Sequence, residues 1–203
     1  MKFSRFLFLS TLLVTLSWNS KADDFKTLEI GTSLPKSDYK MMDISGKEIS
    51  LSDVKQKNGL LVIFSCNTCP YVLAWENRYP EIAKECKDKN IGLILVNSNE
   101  AQRKSDDSFD AMKRHAKNMN YSFFYTVDTN SELANTFGAT RTPHTFLFDA
   151  KNKLVYQGGI DDNHRDASAV KKPYLKDALN AVFTNKEVEN KVLRSPGCSI
   201  KRL

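Results

Sequence analysis

Five apolar residues, Leu60-Leu61-Val62-Ile63-Phe64, run almost directly into Cys66-Asn67-Thr68-Cys69, and Pro70 follows at once. A short continuous apolar run of this kind fits a strand buried on both faces. Proline is favoured at the first helical position, where its missing N–H leaves no hydrogen bond unmade. The two cysteines therefore stand where a buried strand hands over to a helix. The unpaired N–H groups and partial positive charge of a helix N-terminus stabilise a thiolate, moving a thiol pKa from about 8.5 toward roughly 3.5–7.5. Because the thiolate is the attacking species in disulfide exchange, the arrangement reads as a redox device. In this reading Cys66 attacks and Cys69 resolves the mixed disulfide. A structural zinc site needs four ligands, usually two such pairs, and the chain has one pair.

The flanking sequence alternates strand and helix patterns. A turn at Gly31-x-x-x-Pro35 precedes a short strand at Tyr39 to Asp43, a hairpin signal at Ser45-Gly46-Lys47, and Ser52-Asp53 as the cap of a helical turn. From Pro70 to Lys87, Val72, Trp75, Tyr79, Ile82 and Cys86 recur on one helical face, while Pro80 forces a bend or break near Asn77 to Pro80. Ile91 to Val96 is a second buried strand, and a charged loop leads to a helix from Ser108 to Met119. Phe123 to Val127 is a strand; Asp128-Thr129-Asn130 then caps a short helix that Gly138 stops. Thr145 to Phe148 and Leu154 to Gln157 form a hairpin, and Tyr174 to Phe183 a final helix. This order gives a single α/β domain of three layers, a central mixed sheet with helices on both faces.

Residues 1–22 read as a secretory signal peptide and 23–203 as the domain. Lys2 and Arg5 precede the apolar stretch Phe6 to Leu16, and Ser20-Lys21-Ala22 offers a small-residue cleavage site. Eleven such residues are too few to cross a hydrocarbon core about 30 Å thick, so stable membrane insertion after cleavage is not expected. The expected location is secreted, in the bacterial periplasm, where disulfides form and persist. Loss of Lys2, Arg5 and Lys21 with the segment lowers the net charge from +6 to +3, which argues against nucleic acid as a partner.

Phe64-Ser65-Cys66-Asn67-Thr68-Cys69-Pro70-Tyr71-Val72, Asn97-Ser98-Asn99, Thr142-Pro143, Phe146-Leu147-Phe148-Asp149, Asp161-Asp162 and Gly197-Cys198-Ser199-Ile200-Lys201, together with Gly31-x-x-x-Pro35, span nearly all of the mature chain. On these segments the chain resembles the thioredoxin fold with an N-terminal extension. More closely, it resembles the peroxiredoxin-like redoxins of the alkyl hydroperoxide reductase and thiol-specific antioxidant superfamily. The resemblance implies a cis Thr142–Pro143 bond facing the dithiol, with Thr142 backbone groups free to pair with a substrate strand. It also implies a thiol–disulfide oxidoreductase or an antioxidant peroxidase, acting on protein or small-molecule disulfides with an upstream thiol partner and no cofactor. The peroxidase pattern Pro-x-x-x-Thr-x-x-Cys is not met: counting back from Cys69 gives Cys66 and Val62, and from Cys66 gives Ile63 and Gly59. Arg141 stands near where the family's arginine acts.

Four further side chains are candidate modulators or alternatives. Glu76, two turns beyond Cys69, is either a solvated helix residue or a carboxylate relaying protons to the resolving thiol. His144 is either a surface histidine or a base for Cys66, and relatives more often carry an acid there. Two thiolates and an imidazole would also suit Cu(I), as in copper-delivery relatives of the fold, a lesser alternative. Cys86, on the apolar helix face, reads as a buried free thiol. Cys198, in a Pro-Gly-Cys turn, is an unpaired thiol, a partner for Cys86, or a third redox position reaching Cys66 and Cys69. His115 and His164 read as solvated, and Asp161-Asp162 as a loop charge pair.

Overall fold

Every side chain of the central apolar run is buried, and successive residues serve opposite layers. Leu61 and Ile63 pack with Trp75, Tyr79, Met112 and Leu179, whereas Leu60, Val62 and Phe64 pack with Leu51, Leu133 and Phe137. This period-two alternation makes the strand the floor of two cores. The computed structural model describes residues 25–203, and the expected signal peptide lies outside the described residues.

In chain order the elements are β1 (Met41–Asp43), β2 (Glu48–Ile49), α1 (Leu51–Val54), β3 (Gly59–Ser65), α2 (Pro70–Trp75), α3 (Tyr79–Asp88), β4 (Ile91–Asn97) and α4 (Phe109–Asn118). They continue with β5 (Phe124–Val127), α5 (Glu132–Phe137), β6 (Arg141–Thr142), β7 (His144–Asp149), β8 (Leu154–Gly158), α6 (Tyr174–Phe183) and β9 (Cys198–Ser199). The main sheet runs β2-β1-β5-β4-β3-β7-β8, and β6 and β9 form a separate ribbon. β3 pairs parallel with β4 and antiparallel with β7; β4 pairs parallel with β5, and β1 antiparallel with β5. Side chains of α2, α3, α4 and α6 enter one core, and those of α1 and α5 the other. The result is the three-layer thioredoxin-like fold, its sheet extended by the N-terminal hairpin. Among the described residues no helix is long and apolar enough to cross a membrane.

Local chemistry explains most boundaries. The expected break at Pro80 takes the form of a short 3₁₀ turn, Glu76–Arg78, between α2 and α3, which puts Pro80 in the first turn of α3. There it displaces no helical hydrogen bond. Asp128 accepts hydrogen bonds from the N–H groups of Leu133 and Ala134, and Gly138 ends α5 in the left-handed region at φ +62°. One cap differs from expectation. Ser50, not Ser52 or Asp53, is the N-cap of α1, and Asp53 returns the bond to the Ser50 N–H in a capping box.

Candidate active site

Cys66 and Cys69 lie between the end of β3 and the start of α2, with Cys69 as the N-cap and Pro70 in the first turn. Facing them is the Thr142–Pro143 peptide, which is cis. Thr142 meets both sulfurs. Its hydroxyl lies 3.3 Å from Cys66 Sγ, and its carbonyl oxygen 3.1 Å from Cys69 Sγ. All four cysteines are free thiols, and Cys66 and Cys69 are only 2% and 4% exposed.

The two sulfurs are not equivalent. Cys69 receives the Cys66 thiol first; the Cys198 thiol and the backbone N–H groups of Val72 and Cys198 add to it, and together they outweigh burial and hold its pKa down to about 4. Cys66 is pushed upward, mainly because its proton is shared with Cys69, then by burial, with a smaller contribution from the Asp107 charge. The Thr142 carbonyl accepts from Cys69 only while that thiol keeps its proton, and the converging donors favour the thiolate. The sequence expectation placed the charge on Cys66, and the two thiols titrate together. Cys69 is the N-cap residue of α2 without a side-chain capping hydrogen bond, and the Val72 N–H contributes to lowering its pKa.

The loop between the cysteines is clamped by a group the sequence did not single out. Asp107 is fully buried, and its Oδ1 accepts from the Asn67 N–H at 2.9 Å and from Asn97 Nδ2 at 2.7 Å. Its Oδ2 accepts from Asn99 Nδ2 at 2.8 Å, and the Tyr125 hydroxyl donates to Asn67 Oδ1 at 2.9 Å. Asn97 and Asn99 belong to a segment quoted for the family resemblance, but Asp107 sits in a charged loop beside exposed Asp106 and carries no sequence signal of its own.

The other candidates fall into different places. Glu76 is buried, with Oε2 2.7 Å from His115 Nε2 and 3.2 Å from the Tyr121 hydroxyl, so its carboxylate is engaged by α4 and the following loop and not by either sulfur. His115 is thus not a solvated residue, and neither is His164, whose ring centroid lies 5.0 Å from that of Tyr71 and 5.5 Å from that of Trp75. Asp161 is likewise no loop charge: it is buried, accepts from Trp75 Nε1 at 2.9 Å and pairs with Arg78. His144 is buried beneath the tail, its ring centroid 4.4 Å from that of Phe146, and burial, aided by Arg141, lowers its pKa to about 4. It is therefore neither a surface histidine nor, among the described residues, part of a group of three or more metal-ligating side chains. Arg141 is exposed, and its Nη1 donates to the Gly197 carbonyl at 3.0 Å. Cys86 is buried in the core under α3, where burial raises its thiol to about 12.

Cys198 packs against Cys66, Cys69 and Val72, which removes Cys86 as its neighbour. The Thr142 backbone, expected to be free for a substrate, instead pairs with Cys198 in the β6–β9 ribbon. Sequence could not supply this pairing, because a two-residue strand in a polar tail has no periodicity to read.

Comparison with known proteins agrees with the fold. The redoxin family model matches residues 21–173. Thiol-disulfide oxidoreductase ResA of Bacillus cereus is 25% identical over 166 residues, covering 77% of this chain and 89% of the relative. An uncharacterized conserved protein of Geobacillus kaustophilus is 30% identical with a TM-score of 0.80, covering 86% of this chain and 93% of that one. A hypothetical protein of Sinorhizobium meliloti is 28% identical at the same TM-score, covering 88% and 97%. The family match takes in the dithiol, Asp107 and the cis-proline loop, and the chain belongs to the redoxin family.

Proposed function

We propose that the protein is a thiol–disulfide oxidoreductase that exchanges disulfides of proteins or small thiols through Cys66 and Cys69, outside the cytoplasm. The observation that carries this reading is the pair of adjoining buried thiols at the start of α2, both sulfurs meeting Thr142 of the cis Thr142–Pro143 peptide. A thiolate at neutral pH is the attacking species, and a second thiol beside it resolves the mixed disulfide. In this reading Cys69, the sulfur on which the donors converge, attacks and Cys66 resolves, where spacing alone suggested the reverse. Thr142 and Pro143 form the facing wall. Asp107 positions the intervening loop through Asn67. ResA, whose name describes this activity, is the supporting relative. The extracytoplasmic placement rests on the signal-like segment 1–22, which precedes almost all of the family match.

A second reading, peroxide reduction, is favoured by the Thr142 hydroxyl 3.3 Å from Cys66 Sγ, a group the motif count did not find. Against it, the Arg141 guanidinium is engaged by the Gly197 carbonyl. Reduction of insulin disulfides by the protein with dithiothreitol as electron source tests the leading reading. Expected is a loss of at least about 100-fold in Cys69→Ser, which removes the attacking sulfur. Undiminished activity in that variant would sink it.

A further inference from the structure

The groove beside the dithiol already holds a strand, and that strand belongs to the chain's own tail. β9 pairs antiparallel with β6, Thr142 opposite Cys198 and Arg141 opposite Ser199. The Ile200 N–H donates to the Thr140 carbonyl at 3.1 Å, and the Ser195 hydroxyl donates to the Pro143 carbonyl. On the other edge the Lys201 N–H donates to Asn99 Oδ1 at 2.9 Å, and the Lys201 carbonyl accepts from Ala101 N–H at 2.9 Å. Ile200 is buried in the core. Gly197 fits because it lacks a side chain: a Cβ there would come within 2.4 Å of the Thr142 carbonyl oxygen.

The tail therefore sits like a bound peptide strand, and it carries a thiol at the position opposite Thr142, whose carbonyl lies 3.1 Å from Cys69 Sγ. Cys198 is partly exposed, whereas Cys66 and Cys69 are buried. We propose that Cys198 is a second resolving thiol for Cys69, delivered by the docked tail strand and competing with Cys66. The proposal rests on the dithiol reading above.

The chemistry balances on either branch. Cys69 thiolate attacks a substrate disulfide R–S–S–R′, forming Cys69–S–S–R and releasing R′S⁻, which takes a proton. Cys66 or Cys198 then loses its proton as its sulfur bonds to Cys69 Sγ. The Cys69–SR bond breaks, and RS⁻ leaves and is protonated. Two protein thiols are oxidised and one substrate disulfide is reduced in both cases. The Cys66 branch leaves the tail tied only by hydrogen bonds, whereas the Cys198 branch links it covalently to the start of α2.

Oxidised glutathione, followed by acid trapping and peptide mapping by mass spectrometry, tests this in the full chain. In Cys66→Ser, a Cys69–Cys198 disulfide is expected, with at least about tenfold less Cys69–glutathione adduct than in Cys66→Ser/Cys198→Ser. Equal adduct in the two variants, or none in either, overturns the proposal. The unsubstituted protein is mapped alongside: failure to form Cys66–Cys69 there sinks the dithiol reading, while its formation together with equal adducts sinks only the role of Cys198. Gly197→Ala in the Cys66→Ser background is expected to lower the Cys69–Cys198 yield at least about threefold by pushing the strand from Thr142. An unchanged yield removes the docked strand from the proposal.

Discussion

Two buried polar centres meet at the paired ends of β3 and β4, and they are built on opposite rules. Around Asp107, each carboxylate oxygen is taken up by amide donors from Asn67, Asn97 and Asn99. Around Cys69, the neighbours besides the Thr142 carbonyl are other thiols, each able to give up its proton and bond to the sulfur it now touches. A buried carboxylate saturated with hydrogen bonds has one arrangement, and leaving its donors unpaired is costly. A cluster of thiols has several arrangements of similar connectivity, differing in which pair is joined. The first centre holds geometry and the second exchanges bonds, and Asn67 links them, with its N–H on Asp107 and its neighbours on the sulfurs.

The largest effect is expected where the saturated centre is broken. Asp107→Ala strands the Asn67 N–H and the Asn99 amide in a fully buried site and leaves Asn97 Nδ2 its bond to the Tyr125 hydroxyl, which is expected to cost about 3–5 kcal/mol in urea unfolding. Asp107→Asn keeps the volume and one acceptor and is expected to cost about half as much. Because the Asp107 charge helps raise the Cys66 pKa, the Asn variant is also expected to lower that pKa. A loss below about 1 kcal/mol in the Ala variant would place Asp107 on the same footing as its exposed neighbour Asp106 and end the contrast.

The contrast also explains what sequence reading reaches. The strand–dithiol–helix unit is legible because it is contiguous: burial period, cysteine spacing and a helix-opening proline all lie within eleven residues, Leu60 to Pro70. The cis-proline is found through the resemblance and lies opposite the thiols as that implies. Asp107 is not legible, since a buried acid and a solvated acid look alike in the run Lys104-Ser105-Asp106-Asp107. Which of the two cysteines attacks is not legible for a different reason. Spacing puts the helix start at Pro70, where it is found, but carries no information on how two adjoining sulfurs divide a proton between them.

His144 sharpens the comparison because it follows neither rule. Its ring is buried, and Nδ1 has no hydrogen-bond partner among the described residues, with Arg141 and Arg194 lining the same pocket. Burial holds its folded pKa to about 4, below the ordinary imidazole value of 6.5. The unfolded chain therefore binds the proton more readily, and stability falls as pH drops from about 6.5 toward 4. The full loss is on the order of 3 kcal/mol, following about 1.4 kcal/mol per pKa unit. His144→Leu is expected to show a shallower fall between pH 7 and pH 4.5 in urea midpoints, the carboxylates supplying a background common to both proteins. Parallel curves would mean that the imidazole stays hydrated in the fold.

The smallest effect lies inside the exchanging centre and separates its two thiol partners. Cys69 owes its low pKa first to the Cys66 thiol and only then, among its donors, to the Cys198 side chain and backbone. Cys198→Ala removes one side-chain donor and leaves the tail's N–H, so the Cys69 pKa is expected to rise by roughly half to one, the equivalent of a single hydrogen bond. Cys66→Ala removes the leading donor and is expected to raise it further. Thiolate ultraviolet absorbance followed against pH reads both, provided Cys86 stays silent, as its burial and its pKa near 12 require. An equal rise in the two variants would make Cys66 and Cys198 interchangeable neighbours of Cys69. No rise in Cys198→Ala would detach the tail thiol from the centre, leaving a two-cysteine site whose groove is closed by its own chain.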